Sequence, residues 1–384
     1  MVASKGPLSG ITVVDLSRIL AGPYCTFLMA ELGARVIKVE PPAGDDAREY
    51  GPFLEGKSAY FMSINRGKES IALDLKKPED KRIFETLLEK ADVLVENFRP
   101  GTMEKLGYGW EQLHERYPRL IYAAASGFGH TGPYSHYPAY DMVVQGLGGI
   151  MSVTGVPGGG LTRIGMSIGD IGAGLYTSVA VNAALLHRER TGEATKIDVA
   201  MFDCQLALLE NAVMRYTTSG VVPGPMGARH PSITPFQAFA TADGHMIIAA
   251  GNDGLYRKLC AALERPELAT DPRFATNDLR NTNQPALQEI LEAILRTRPT
   301  AQWTELLEAA GMPCGPINNI AQALQHPQVP VRNMLVEMQD PAAGTVRLAG
   351  NPLKFSAFED PKTRPPAPDL DGDRAAILRE LGLS

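Results

Sequence analysis

Asp170 is the side chain whose setting most invites chemistry. It lies in Ile168-Gly169-Asp170-Ile171-Gly172-Ala173-Gly174, directly before a helical stretch of small residues. Two readings share that geometry. An aspartate ahead of a helix accepts hydrogen bonds from the orphan amides of the first turn and acts as an N-cap. A carboxylate held by amide donors also stays ionised near neutrality, and glycines on either side leave room for a ligand. An ionised carboxylate open to a ligand is a usable nucleophile.

Spacing excludes most other chemistry. His114, His130, His136, His187, His230, His245 and His326 are each isolated, and no G-x-S-x-G elbow presents a serine, so there is no hydrolase triad. Cys25, Cys204, Cys260 and Cys314 are scattered, without CxxC or zinc-like Cys–His spacing. Free thiols and no metal are expected. A dinucleotide fingerprint needs three glycines in the first strand-to-helix turn, but residues 17–22 (SRILAG) hold only Gly22. The Gly-dense stretch 146–174 lacks G-K-[ST] and is no P-loop. Lys68, Lys76, Lys77 and Lys105, at loop and helix edges, are candidate phosphate contacts.

The elements that must position these residues alternate. Residues 11–16 read as a strand, Pro23 opens a helix that Gly33 closes, and residues 35–40 read as a second strand ended by Pro41-Pro42. Strand, helix and strand in about 30 residues form a βαβ unit with parallel pairing. The pattern continues with a helix over 79–90, a strand over 92–96, a helix over 110–115 and a strand over 120–125. The fold class is therefore α/β, a large domain with a Rossmann-like parallel sheet. A helix over 174–190, a strand over 196–199 and a helix over 202–216 follow. Residues 223–235 read as a linker, and Asp243-Gly244 between two apolar runs reads as a hairpin. Three segments of chain result: 1–222, the first part of the large domain; 223–330, linker and a smaller α+β domain; and 331–384, which returns to the large domain as a strand pair near Gly344 and a final helix over 373–381.

Composition narrows the function classes. Against 37 Lys and Arg stand 43 Asp and Glu, a net charge of −6 without a long basic run, which argues against nucleic acid. The start lacks a charged region followed by an apolar one, and the most apolar helix, 175–186, is broken by Thr177, Ser178 and Asn182. No signal peptide, no membrane span and a cytoplasmic location are expected.

Ordered blocks along the whole chain carry a resemblance: VDLSRILAGP (14–23), LGARVIKVE (32–40), NRGKESIALDLK (65–76), VENFRPG (95–101), SGFG (126–129), Gly169-Asp170, DVAM (198–201) and Gly251-Asn252-Asp253. In these the chain resembles the family III CoA-transferases, a group that includes formyl-CoA, carnitine-related and dicarboxylate CoA-transferases and is related to α-methylacyl-CoA racemase. The resemblance implies two-domain protomers interlocked as rings in a homodimer, with coenzyme A as a substrate and no cofactor. It places the catalytic aspartate on Asp170. It places Ile19, Pro41, Leu73, Lys76, Asn97, Phe98, Lys105, Leu106 and Tyr140 along the CoA site. Leu20 falls where formyl-transferring members carry a Gln, Tyr50 where they carry a Trp, and Gly251, Asn252 and Asp253 where they have a longer glycine run. These departures point away from formyl transfer.

The SRILAGP, GDDAREYGP and NRGK segments resemble the dicarboxylate branch, so the expected partners are an acyl-CoA such as succinyl-CoA and a short carboxylic, in particular dicarboxylic, acid. Arg48, Arg163, Arg229 and His230 are candidates for a remote acceptor carboxylate. The racemase alternative needs a His-Asp pair where this chain has Tyr140-Asp141. A base on each face of the carbon is required there, and a phenol with a pKa near 10 is a poor one.

Overall fold

Six short strands rich in Val, Ile and Ala form the central sheet of the computed structural model, which describes residues 5–383. They are β1 (Thr12–Asp15), β2 (Arg35–Glu40), β3 (Glu69–Ala72), β4 (Val93–Glu96), β5 (Ile121–Ser126) and β6 (Lys196–Ala200). All pairs are parallel, in the order β3-β2-β1-β4-β5-β6. Both faces are covered, as a parallel sheet requires. Alternate residues divide between two cores. Val14, Ile37, Val39, Ile71, Leu94 and Tyr122 pack on one side with Phe84, Leu87 and Leu88. Val13, Val36, Val93, Val95 and Ile121 pack on the other with Cys25, Met29, Val181 and Leu185.

The helices used below are α1 (Ala21–Glu31), α2 (Ala59–Asn65), α3 (Pro78–Lys90), α4 (Asp141–Leu147), α5 (Ile168–Thr191), α6 (Met201–Leu208) and α7 (Asp253–Ala262). Phe84, Leu87 and Leu88 belong to α3, Cys25 and Met29 to α1, and Val181 and Leu185 to α5. The sheet runs outward from β1 in both directions, so the chain reverses its winding between β1 and β4. In such sheets the crevice beyond the C-terminal ends of the two central strands is where ligands bind.

The chain divides into two compact units. One comprises residues 5–151, 163–222 and 327–383; the other comprises 152–162 and 223–326. The first also holds a small sheet of β10 (Leu335–Asp340), β11 (Gly344–Ala349) and β12 (Thr363–Arg364), whose Val336 and Met338 pack on Phe61 and Met62 of α2. The second is built on the antiparallel strands β7 (Phe236–Ala240), β8 (His245–Ala249) and β9 (Cys314–Pro316). Its core gathers Phe239, Met246, Ile248, Leu259, Leu291, Trp303 and Leu307.

Several elements differ from the sequence reading, among them the short helices Ala59–Asn65, Thr102–Leu106 and Asp141–Leu147, which it does not include. Strand β3 is not foreseen, because four residues between a polar turn and Asp74 carry too little periodicity. The helix expected over 202–216 is two, α6 and Glu210–Ser219, parted at Leu209. Helix α5 begins six residues before Gly174, which places Asp170 inside its first turn. All four cysteines are free thiols. No helix among the described residues is long and apolar enough to cross a membrane.

Candidate active site

The C-terminal rim of the sheet collects the residues that follow each strand. After β1 the chain turns through Ile19, whose φ of +66° is rare for a β-branched residue. It then enters α1 at Leu20, which provides no side-chain cap. After β4, Phe98 donates its backbone N–H to Glu96 Oε2 at 2.6 Å, and Tyr122 donates its hydroxyl to Glu96 Oε1 at 2.8 Å. Burial pushes that carboxyl up to about 7. Asn97 stands beside the first turn: its Oδ1 accepts the Arg18 N–H at 2.7 Å, and its Nδ2 donates to the Arg18 carbonyl at 2.8 Å. Ile19, Leu20, Asn97 and Phe98 thus lie together at the reversal point.

The remaining expected CoA residues border the same rim unevenly. Pro41 is exposed after β2, and Lys76 is exposed in the turn after β3. Lys105 is exposed on the helix Thr102–Leu106. Phe98 and Leu106 are half-buried against the sheet core. Leu73 is inside that core. Lys68, named as a phosphate candidate, is fully buried and cannot reach a ligand. Its Nζ donates to Asp15 Oδ2 at 3.0 Å, Thr26 Oγ1 at 2.8 Å and Asn65 Oδ1 at 2.9 Å. Burial tends to raise the Asp15 carboxyl, but Lys68, Lys38 and two hydroxyl donors overcome this and hold it at about 2.

Asp170 occupies the third helical position of α5, so it is not the N-cap. The amide of Gly169 donates instead to Asp141 Oδ1 at 2.8 Å, from α4. Gln145 fixes the other Asp141 oxygen at 2.7 Å. The flanking glycines do not leave room for a ligand either. A Cβ on Gly169 would sit 2.8 Å from Gln205, one on Gly172 would sit 3.2 Å from Leu208, and one on Gly174 would sit 2.7 Å from the Ala21 carbonyl. They admit α4, α6 and α1 at close range. Among the described residues the Asp170 carboxylate accepts no hydrogen bond. Burial, and then the Asp141 charge, push it up to about 7. The expectation of an amide-stabilised carboxylate is thereby reversed: poor solvation, not amide donors, sets its state.

Three tyrosines share this neighbourhood. Tyr50 is 40% exposed and meets the Tyr60 ring edge-on at 5.7 Å. Burial and the Asp170 charge push the Tyr60 phenol up to about 12. Tyr140, 68% exposed, precedes α4. Leu20, Tyr60, Arg163, Ser167 and Ile171 line a cavity of about 440 Å³. Ser167 and Ile171 flank Asp170 in sequence.

The four candidate cations part company. Arg48 forks onto Glu40, with Nε donating to Oε2 at 2.8 Å and an η nitrogen to Oε1 at 2.6 Å, while its guanidinium covers the Phe61 ring. It is a structural group under the rim. Arg163 lines the cavity; its Nε donates to the Ile164 carbonyl at 2.9 Å, and one η nitrogen stands 4.0 Å from Asp141. Arg229 and His230 belong to the second unit: Arg229 donates to Gln284 at 3.0 Å, and His230 Nδ1 accepts the amides of Ser232 and Ile233 at 3.1 Å. In that unit Gly251 is exposed, Asn252 caps α7 through the Leu255 amide at 2.9 Å, and Asp253 pairs with the buried Arg280 at 2.7 Å. Tyr60 is not singled out by the sequence; it lies in no chemical motif, and only the packing of α2 brings it here.

The family model for CoA-transferase family III matches residues 8–374. An acetyl-CoA:oxalate CoA-transferase of Acetobacter aceti is 47% identical over 379 residues, covering 98% of this chain and 96% of the relative. A succinyl-CoA:glutarate CoA-transferase of Mus musculus is 39% identical over 380 residues, covering 98% and 87%. Among solved structures, a CAIB/BAIF family protein from Brucella suis superposes with a TM-score of 0.86 at 42% identity, covering 98% of this chain and all of the other.

Proposed function

This chain belongs to CoA-transferase family III, and from that premise we propose that it moves CoA from succinyl-CoA or a similar thioester to a short dicarboxylic acid through an acyl intermediate on Asp170. The observation that carries the nucleophile is the Asp170 carboxylate itself, unpartnered, poorly solvated and flanked by cavity-lining residues. A desolvated carboxylate keeps its nucleophilic electron pair free of water.

In the first step the Asp170 carboxylate attacks the donor thioester carbonyl. The C–S bond breaks, giving a mixed anhydride and CoA thiolate. The thiolate attacks the aspartyl carbonyl and expels the donor acid, leaving an aspartyl-CoA thioester. The acceptor carboxylate attacks this thioester, and the released thiolate then takes the acceptor acyl group and frees Asp170. Each step trades one activated acyl bond for another, so ATP is not required.

Relatives named for oxalate, glutarate and mesaconate support a dicarboxylic acceptor. Arg163 is the candidate that fits the far carboxylate, since Arg48 is engaged by Glu40 and Arg66 by Glu31. CoA is assigned to the rim at Ile19, Asn97, Phe98, Lys76 and Lys105. A homodimer of interlocked protomers is part of the same proposal. The exposed Leu175, Val179 and Leu186, on one face of α5, support a second copy covering them. Among the described residues no histidine pairs with Asp141, so proton abstraction of the racemase type gains no support.

The test is to incubate succinyl-CoA with a panel of dicarboxylates, follow new thioesters, and quench turnover with hydroxylamine. Exchange together with a hydroxamate at position 170, absent from Asp170→Asn, supports the reading. Exchange that survives in Asp170→Asn overturns it.

A further inference from the structure

The 17–20 turn is held by side chains where other folds of this winding use glycine. From the Ser17 amide to the Ile19 amide, five consecutive backbone polar groups are taken by four side chains. Asp15 Oδ1 accepts the Ser17 N–H at 2.9 Å, and Lys38 Nζ donates to the Ser17 carbonyl at 2.8 Å. Asn97 takes both groups of Arg18 at 2.7 and 2.8 Å. Asp45 accepts the Ile19 N–H at 3.1 Å while pairing with Lys38 at 2.8 Å, and both of those side chains are 1% exposed. Burying an ion pair costs free energy that ordinary turn formation does not require. What the pair gains is control over two backbone groups that flank Arg18, immediately ahead of a left-handed isoleucine. Strain of that kind collects where a ligand must be met by backbone in one fixed shape.

We propose that Lys38, Asp45 and Asn97 are positioning residues that fix the 17–20 turn as a preformed backbone seat for the thioester end of acyl-CoA. This rests on the assignment of the CoA site to the sheet's reversal point. Asn97 then acts on CoA through Arg18 and Ile19, a role beyond its expected one as a direct contact. The seat stands at the start of α1, beside Leu20 on the cavity wall. A fixed turn removes the ordering cost that a flexible loop would levy on binding.

The experiment compares wild type, Asn97→Ala, Asn97→Asp and Asp45→Asn. Asn97→Asp keeps an acceptor for the Arg18 amide and leaves the buried Lys38–Asp45 pair intact, whereas Asp45→Asn keeps one for the Ile19 amide but leaves Lys38 without its ion pair. Hydrogen exchange of the peptide containing Arg18 and Ile19 is measured without any CoA present, and KM and kcat are measured with succinyl-CoA. Asn97→Ala is expected to exchange at least about tenfold faster in the free enzyme and to raise KM about tenfold, the scale of one to two lost hydrogen bonds. Asn97→Asp, which keeps the acceptor for the Arg18 amide but cannot donate to the Arg18 carbonyl, should recover part of both. Unchanged exchange in free Asn97→Ala overturns the clamp and returns Asn97 to direct contact. Faster exchange with unchanged KM leaves the clamp standing and overturns its use as the CoA seat, and with it the placement of CoA at this rim.

Discussion

Asp170→Asn should make the protein more stable while abolishing transfer, and the size of the gain follows from the site. Burial and the Asp141 charge raise the Asp170 carboxyl from 3.8 to about 7. The folded protein therefore keeps a proton that the unfolded chain has already released, and between these two values stability falls as pH rises. At about 1.36 kcal/mol per unit, the destabilisation is about 2 kcal/mol at pH 5 and about 4 kcal/mol above pH 7. An amide of the same shape carries no such charge. With about 2.1 cal/mol/K of unfolding entropy per residue, a 384-residue chain should melt about 2 °C higher as the variant at pH 5 and about 5 °C higher at pH 8. Matched thermal scans of the two proteins across that range provide the assay. Equal melting at pH 8, or an offset that does not grow from pH 5 to pH 8, refutes the reasoning, because the ionised carboxylate would then be well solvated in the folded state.

Other consequences can be measured alongside. Because the ionised form of Asp170 is the nucleophile, kcat/KM for succinyl-CoA should fall tenfold per pH unit below about 7 and level off above it. Asp141→Asn keeps the acceptor for the Gly169 amide but removes the neighbouring charge, so the inflection of that profile should move to lower pH. Gly174→Ala places a methyl 2.7 Å from the Ala21 carbonyl and 2.9 Å from Tyr24 Cβ; urea titration should show a loss of about 1–3 kcal/mol. Lys68→Met leaves Asp15 buried without its closest cation; a loss of about 3 kcal/mol or more is expected in the same titration.

Much of the scaffold is legible in one dimension. The strand over 35–40 is a β-branched run closed by two prolines, and it appears at those bounds. The Asp243-Gly244 hairpin and the helix at Pro78–Lys90 likewise follow from local turn chemistry and periodicity. Strand β3 is not legible this way, because its four residues become a strand through pairing with β2. Asp170 shows the sharper limit. Its glycine neighbours read equally well as ligand space or as helix contact, and only the arrival of α1, α4 and α6 against them decides for contact.

By itself the amino-acid order determined the parallel α/β architecture, the missing glycine fingerprint, and Asp170 as the residue to question, since periodicity, turn residues and motif spacing are properties of short stretches. The charge state of Asp170, the engagement of Arg48 by Glu40, the burial of Lys68 and the clamping of the 17–20 turn by Lys38, Asp45 and Asn97 were decided by tertiary structure alone. Each depends on what solvent is excluded and which distant side chain arrives, and those are set by the packing of segments far apart in the chain.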